Sequence, residues 1–253
     1  MPVALEGGCF VKALREGEPD QHAGIRIWRH VHRETGATAI SLRVLEFAPG
    51  TSPAIRTPRC DEILYVLEGE ATLIVDGAAH RVGRDVGVYL APGTVLMVEN
   101  PGPAPLTVVS SQCPDPGASL DLARDFSSRS SGAKLRPTPV VALDETLRAV
   151  TSDRWYRVLV DKRLGCSETT QFVGGIPPGR APDHFHHYEE VLCILSGSGR
   201  MWAGQSNAPI QPGSCIFLPR GQVHCVENTS GGELRLLGVF HPAGSPAVRY
   251  ETA

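Results

Sequence analysis

Between residues 183 and 197 the chain reads DHFHHYEEVLCILSG, with His184, His186, His187, Glu189 and Glu190 in close succession before an apolar run. His184 and His186 are two apart, so on a strand both imidazoles face the same side. Glu190 opens the following run after a short turn at His187, Tyr188 and Glu189. In GSCIFLPRGQVHCVEN (213–228), His224 stands on a further strand-like segment. Three imidazoles and a carboxylate can hold a divalent first-row metal and leave positions open for water, substrate or dioxygen. A purely structural histidine cluster is the bland alternative.

Positioning such groups requires strands, and the sequence supplies two series of them. The first comprises ISLRVLEF (40–47), EILYVLEG (62–69), ATLIVDG (71–77), VGVYLAPG (86–93), VLMVEN (95–100) and LTVVSS (106–111). The second comprises TTQFVGGI (169–176), EVLCILSG (190–197), GRMWAG (199–204), SCIFLPRG (214–221), VHCVEN (223–228) and LRLLGVF (234–240). Each run is rich in β-branched and aromatic residues and bounded by Gly, Pro, Asn or Asp. DEILYVLEGEATLIVDG (61–77) matches EEVLCILSGSGRMWAG (189–204), and DVGVYLAPGTVLMVEN (85–100) matches GSCIFLPRGQVHCVEN without a gap. Such a repeat implies two copies of one domain. The segment 114–139, rich in Pro, Ser and Gly, reads as a linker with a helical turn around LDLARDF (120–126). The expected division is therefore 1–113, 114–139 and 140–253.

The second copy resembles the cupin superfamily, whose motifs read G(X)5HXH(X)3–4E(X)6G and G(X)5PXG(X)2H(X)3N. Here the first is carried by His184, His186, Glu190 and Gly197, the second by Gly213, Pro219, Gly221, His224 and Asn228. Gly179 departs, lying one residue too close to His184, and the motifs are separated by 15 residues. The resemblance implies an all-β fold of two tandem cupin-type barrels, each a double-sheet jelly roll. It places the metal ligands on His184, His186, Glu190 and His224, and the cofactor would be one divalent transition metal (Fe, Mn, Ni, Cu, Co or Zn) in the C-terminal barrel.

In the first copy, alignment on Glu62 puts Arg56 in place of His184, Pro58 in place of His186 and Leu96 in place of His224. Arginine is no ligand at ordinary pH, and Leu and Pro offer no donor. That barrel is expected to lack metal, with Arg56 and Glu62 forming an ion pair in its mouth. It would mimic the second subunit of a single-barrel dimer. His30 and His32 read as the polar face of an edge strand, His187 as a solvated turn residue, and Cys225 as packing opposite His224. Tyr188, Trp202, Phe172 and Phe217 would line the pocket or the core.

Three neutral imidazoles and a carboxylate around a dication leave a net charge of +1, which favours an anionic or enolisable small-molecule substrate. The resemblance implies a mononuclear metal dioxygenase-type oxidoreductase, in which Glu190 is also a candidate catalytic group. Two alternatives stay open: a Lewis-acid isomerase, decarboxylase or hydrolase of a small acid, and a non-catalytic metal-dependent ligand-binding module. With 24 basic and 27 acidic residues there is no charge block for nucleic acid or a membrane surface. Seven dispersed cysteines without a CxxC, and the absence of a signal-like start, lead to the expectation of a cytoplasmic protein, with homodimerisation left open.

Overall fold

The computed structural model describes residues 2–57, 59–117, 120–123, 139–248 and 250–251. Among them there is no α-helix, only short 3-10 turns between strands. The alternation of apolar and polar residues lets each strand bury one face, and the strands assemble into two barrels of two sheets each. In the first barrel a seven-stranded sheet centres on Asp61–Glu68 and Leu106–Cys113, facing a six-stranded sheet built on Ala71–Val75 and Val95–Asn100. In the second, an eight-stranded sheet centres on Glu189–Ser196 and Leu234–His241, facing a six-stranded sheet built on Gly199–Ala203 and His224–Asn228. This is the expected pair of jelly rolls.

One residue shows how closely the copies repeat. The Asn228 amide donates to the carbonyls of Ile176 and Gly232, both at 2.8 Å. Asn100 does the same to Phe47 (3.1 Å) and Ala104 (2.9 Å). The motif asparagine therefore ties two connections together in each barrel and takes no part in the histidine cluster.

The larger sheets pack against each other through their outer faces. Ile63, Tyr65 and Val109 of the first barrel share a buried cluster with Val191, Cys193, Phe217 and Val239 of the second. Each barrel encloses its own separate core. The approach is close: a Cβ on Gly87 would lie 2.5 Å from Gln171 Oε1 and 3.1 Å from Leu159 Cβ, both of the opposite barrel. Glu189, which precedes Glu190, accepts hydrogen bonds from the backbone amides of Thr38, Ala39 and Ile40 and from the Thr38 hydroxyl (2.7–3.2 Å). The first barrel thereby grips the strand that carries Glu190.

Short strands cross the boundaries expected from the sequence in both directions, Val3–Ala4 and Phe10–Ala13 toward the second barrel and Val140–Ala142 toward the first. Phe10–Ala13 pairs with Ser214–Leu218 and so extends the second barrel's sheet. Val140–Ala142 pairs with Val86–Leu90 in the first barrel. The expected helical turn at 120–126 is not formed where it is described: Asp121–Leu122 is a strand paired with Ile55–Arg56. The rest of that turn and most of the 114–139 segment lie outside the described residues. His30 also differs from expectation. Its strand, Ile25–Val31, is flanked on both sides, and the imidazole is buried against the Leu14 carbonyl (2.8 Å).

Candidate metal centre

His184 and His224 sit directly opposite one another on antiparallel strands, and His186 follows two residues on. The three ring centroids are 4.6–5.1 Å apart, and one nitrogen of each lies within 4.8 Å of the others. Nδ1 of His184 donates to the Pro182 carbonyl (3.0 Å) and Nδ1 of His224 to the Gln222 carbonyl (2.8 Å). Each partner is the carbonyl two residues back. Fixing the proton on Nδ1 leaves the Nε2 lone pair for a ligand, the usual outer arrangement of a metal-bound imidazole. His186 is held differently: its ring stacks on Tyr188 at 4.3 Å and 10°. The Val248 backbone lies near, but among the described residues none hydrogen-bonds the buried His186 Nδ1.

The fourth expected residue, Glu190, enters from the other sheet. Its Oε2 lies 4.0 Å from His186 Nε2, at the edge of the histidine cluster. Burial, reinforced by the neighbouring imidazoles, lowers the His186 pKa to about 3 and that of His224 to about 4. These imidazoles are neutral at ordinary pH, the state in which they donate lone pairs. Burial pushes the Glu190 carboxyl the other way, up to about 8. A buried acid in an apolar setting beside three lone-pair donors is what a dication would compensate, so the donor set fits a first-row divalent metal.

The cluster opens into a cavity of about 110 Å³. Phe172 and Tyr188 line it, as expected for two of the four aromatic candidates. Phe172 fits because its ring lies over Gly238, where an added Cβ would come within 2.3 Å of it. Trp202 does not line it; its indole donates to Glu227 (2.8 Å) under the Arg180 guanidinium. Phe217 packs on Phe10 between the barrels. His187 is exposed beside Phe185 and Tyr250, and Cys225 is buried. Three wall residues, Thr151, Arg154 and Tyr156, went unnoticed in the sequence. The alternating RWYRVLV (154–160) was a usable strand signal for the last two.

In the first barrel the expected Arg56–Glu62 ion pair does not form. Glu62 is paired instead with Arg43 (2.6 Å) and accepts from Ser110 (2.7 Å) and Gln112 (3.1 Å). The pairing registers show why. Ile55 lies opposite Leu96 as His184 lies opposite His224. Thr57 accepts from the Gly93 amide as His186 does from Gly221. The positions equivalent to His184, His186 and His224 are thus Ile55, Thr57 and Leu96. The first barrel has one extra residue in the loop before Glu62, and a gapless alignment slipped by one. Arg56 points elsewhere, toward the Gly93 carbonyl at 3.5 Å. Pro58 lies outside the described residues. By the same registers, Arg43, Ser110 and Gln112 correspond to Phe172, Gly238 and Phe240. The acid is retained in both barrels, but its neighbours are polar in one and apolar in the other.

Comparison with known proteins agrees with this architecture. Over 95% of this chain and 78% of theirs, two structures of variants of oxalate decarboxylase from Bacillus subtilis superpose with TM-scores of 0.76 and 0.74 at 13% identity. A curated relative, the tetracenomycin polyketide synthase protein TcmJ of Streptomyces glaucescens, is 36% identical over 75 residues, 29% of this chain. That match spans half the length of the relative. The Cupin domain family matches residues 43–111 and 172–240, one stretch in each barrel and together more than half of the chain. With two such matches on two jelly rolls, the chain belongs to the cupin domain family.

Proposed function

We propose that this chain is an enzyme of small anionic or enolisable organic molecules, dependent on one divalent transition metal held by His184, His186, Glu190 and His224. The reaction favoured is a mononuclear dioxygenase-type oxidation. The observation that carries the reading is the convergence of three neutral imidazoles within 4.8 Å, beside an acid that has lost its polar partners, at the wall of a cavity. A bound dication would supply Lewis acidity, or electron exchange with dioxygen if redox-active. The chain's own groups do the rest. The Pro182 and Gln222 carbonyls hold the His184 and His224 rings in one tautomer, and the Tyr188 ring holds the plane of His186. Burial favours the protonated form of Glu190, and a bound dication would favour the carboxylate instead. Phe172, Leu192, Val226 and Leu236 exclude bulk water from the cavity. The first barrel, with Glu62 committed to Arg43, serves as a packing partner.

A second reading, Lewis-acid chemistry such as decarboxylation, has a specific support: structural neighbours of this chain are oxalate decarboxylases, one described by its Mn(II) centres. Elemental analysis of the purified protein beside a His186→Ala/His224→Ala double variant is the first test. About one Fe, Mn, Ni, Cu, Co or Zn per chain, lost in the variant, is expected. Substrate-dependent oxygen uptake then separates the two reactions. Absence of metal even after reconstitution would overturn both.

A further inference from the structure

We propose that Arg154 is the anion anchor of the cavity, and that the ligand is an elongated, largely aromatic or apolar molecule. One end would carry metal-chelating oxygens at the histidine cluster and the other a carboxylate at Arg154. The proposal rests on the metal reading above and deepens it.

Arg154 lies on strand Arg154–Val160, where Tyr156 and Val158 pack toward the second barrel's core. Side chains two apart share a face, so Arg154 is on the concave side with Glu190 and Leu192. It lines the same cavity as the histidines and is the one Arg or Lys among the described residues lining it. Its side chain is 17% exposed. The partner recorded for it is Asp153, the adjacent and largely exposed residue, bonded to Nε at 3.0 Å. A bond to an adjacent carboxylate that is 59% exposed contributes little and leaves the rest of the guanidinium's donors to be accounted for. A guanidinium stays charged and matches a carboxylate in two parallel hydrogen bonds.

The ligand's length follows from the registers. Strand order across the sheet runs from Glu189–Ser196 through Leu234–His241 and Thr170–Ile176 to Arg154–Val160. Glu190 is level with Phe240 and Thr170, whereas Trp155 is level with Gly175, so Arg154 is displaced both across and along the sheet. Three strand steps at about 4.8 Å and six residues at about 3.3 Å put the Glu190 and Arg154 Cα atoms on the order of 20 Å apart along the sheet. Even with both side chains extended toward one another, a gap on the order of 10 Å remains. A two-carbon diacid is too short to touch both. The wall between them is formed by Tyr156, Phe172, Ile176 and Leu236.

Three probes test this: caffeate, with a catechol and a distant carboxylate; 4-methylcatechol, which lacks the carboxylate; and cinnamate, which lacks the chelating hydroxyls. Metal-loaded protein is expected to bind caffeate at least about ten-fold more tightly than 4-methylcatechol, the scale of a charge-assisted pair. In Arg154→Gln the ratio falls to within two-fold, while Arg154→Lys keeps part of it. In metal-free protein, cinnamate quenches tryptophan fluorescence through Trp155 in the cavity wall, and Arg154→Gln abolishes this. Thermal melting of both variants confirms that they fold. An unchanged caffeate ratio in Arg154→Gln, or a wild type that binds neither carboxylate, overturns the anchor and leaves the metal reading standing. Loss of cinnamate quenching in the variant of a protein that takes up no metal retains the anchor and overturns the metal reading.

Discussion

Glu62 and Glu190 occupy equivalent places, and their neighbours decide what each carboxylate does. Around Glu62, Arg43, Ser110 and Gln112 satisfy the charge; around Glu190 stand Phe172, Gly238 and Phe240. Breaking the buried Arg43–Glu62 pair from one side strands a charge, so Glu62→Ala should cost about 3–5 kcal/mol. The Arg43→Leu/Glu62→Leu double variant should recover most of that, measured by urea denaturation. An equal loss in both variants would show that the pair itself is not what matters. That His184 and His186 face one space was legible because i, i+2 spacing on a strand leaves little freedom in where side chains point, and His224 joins them from the opposite strand. The Arg43 partnership was not, because it joins strands that no local pattern relates. The one-residue slip at Arg56 has the same origin, since a loop can absorb an extra residue without disturbing the paired strands on either side.

At the level of elements, strands such as Val95–Asn100 appear where β-branched alternation placed them. Phe10–Ala13 was missed: it is only four residues long and its partner, Ser214–Leu218, lies some two hundred residues away. That strand also explains His30. Lys12 Nζ donates to the His30 carbonyl, and the imidazole behind it is buried. Burial, with Lys12 adding to it, lowers the His30 pKa against the opposing influence of the Leu14 carbonyl and Glu16. The unfolded chain then binds more protons than the folded one as pH falls below about 6.5, so stability present above that value is lost toward the lowered folded value. The urea midpoint of the wild type should fall between pH 7 and pH 5 more steeply than that of His30→Gln. Parallel curves would exclude His30 as a contributor.

At the level of the whole molecule, the two barrels form one body through a shared apolar cluster and strands exchanged in both directions. The repeat announced two domains, but it could not announce the exchange, because the crossing strands lie outside the repeated segments. A fragment cut at the sequence boundary, residues 140–253, lacks the strand that covers Ser214–Leu218 and carries one that belongs to its neighbour. It also exposes Val191, Cys193 and Phe217. Expressed alone it is expected to aggregate, whereas the full chain gives a sharp peak on size-exclusion chromatography. A monomeric, cooperatively melting fragment would contradict this.

The exchange also sets the order of events on the ribosome. The segment around Phe10 emerges long before its partner strand, which ends at Leu218. At roughly 5–20 residues per second, the nascent chain waits on the order of 10–40 s with that apolar strand unclaimed. The first barrel, too, lacks its last strand until Ala142 has been made. Neither half can be completed by the time its own repeat has been translated, so the chain matures late and as a unit. During that wait the leading strand is a natural handle for a chaperone.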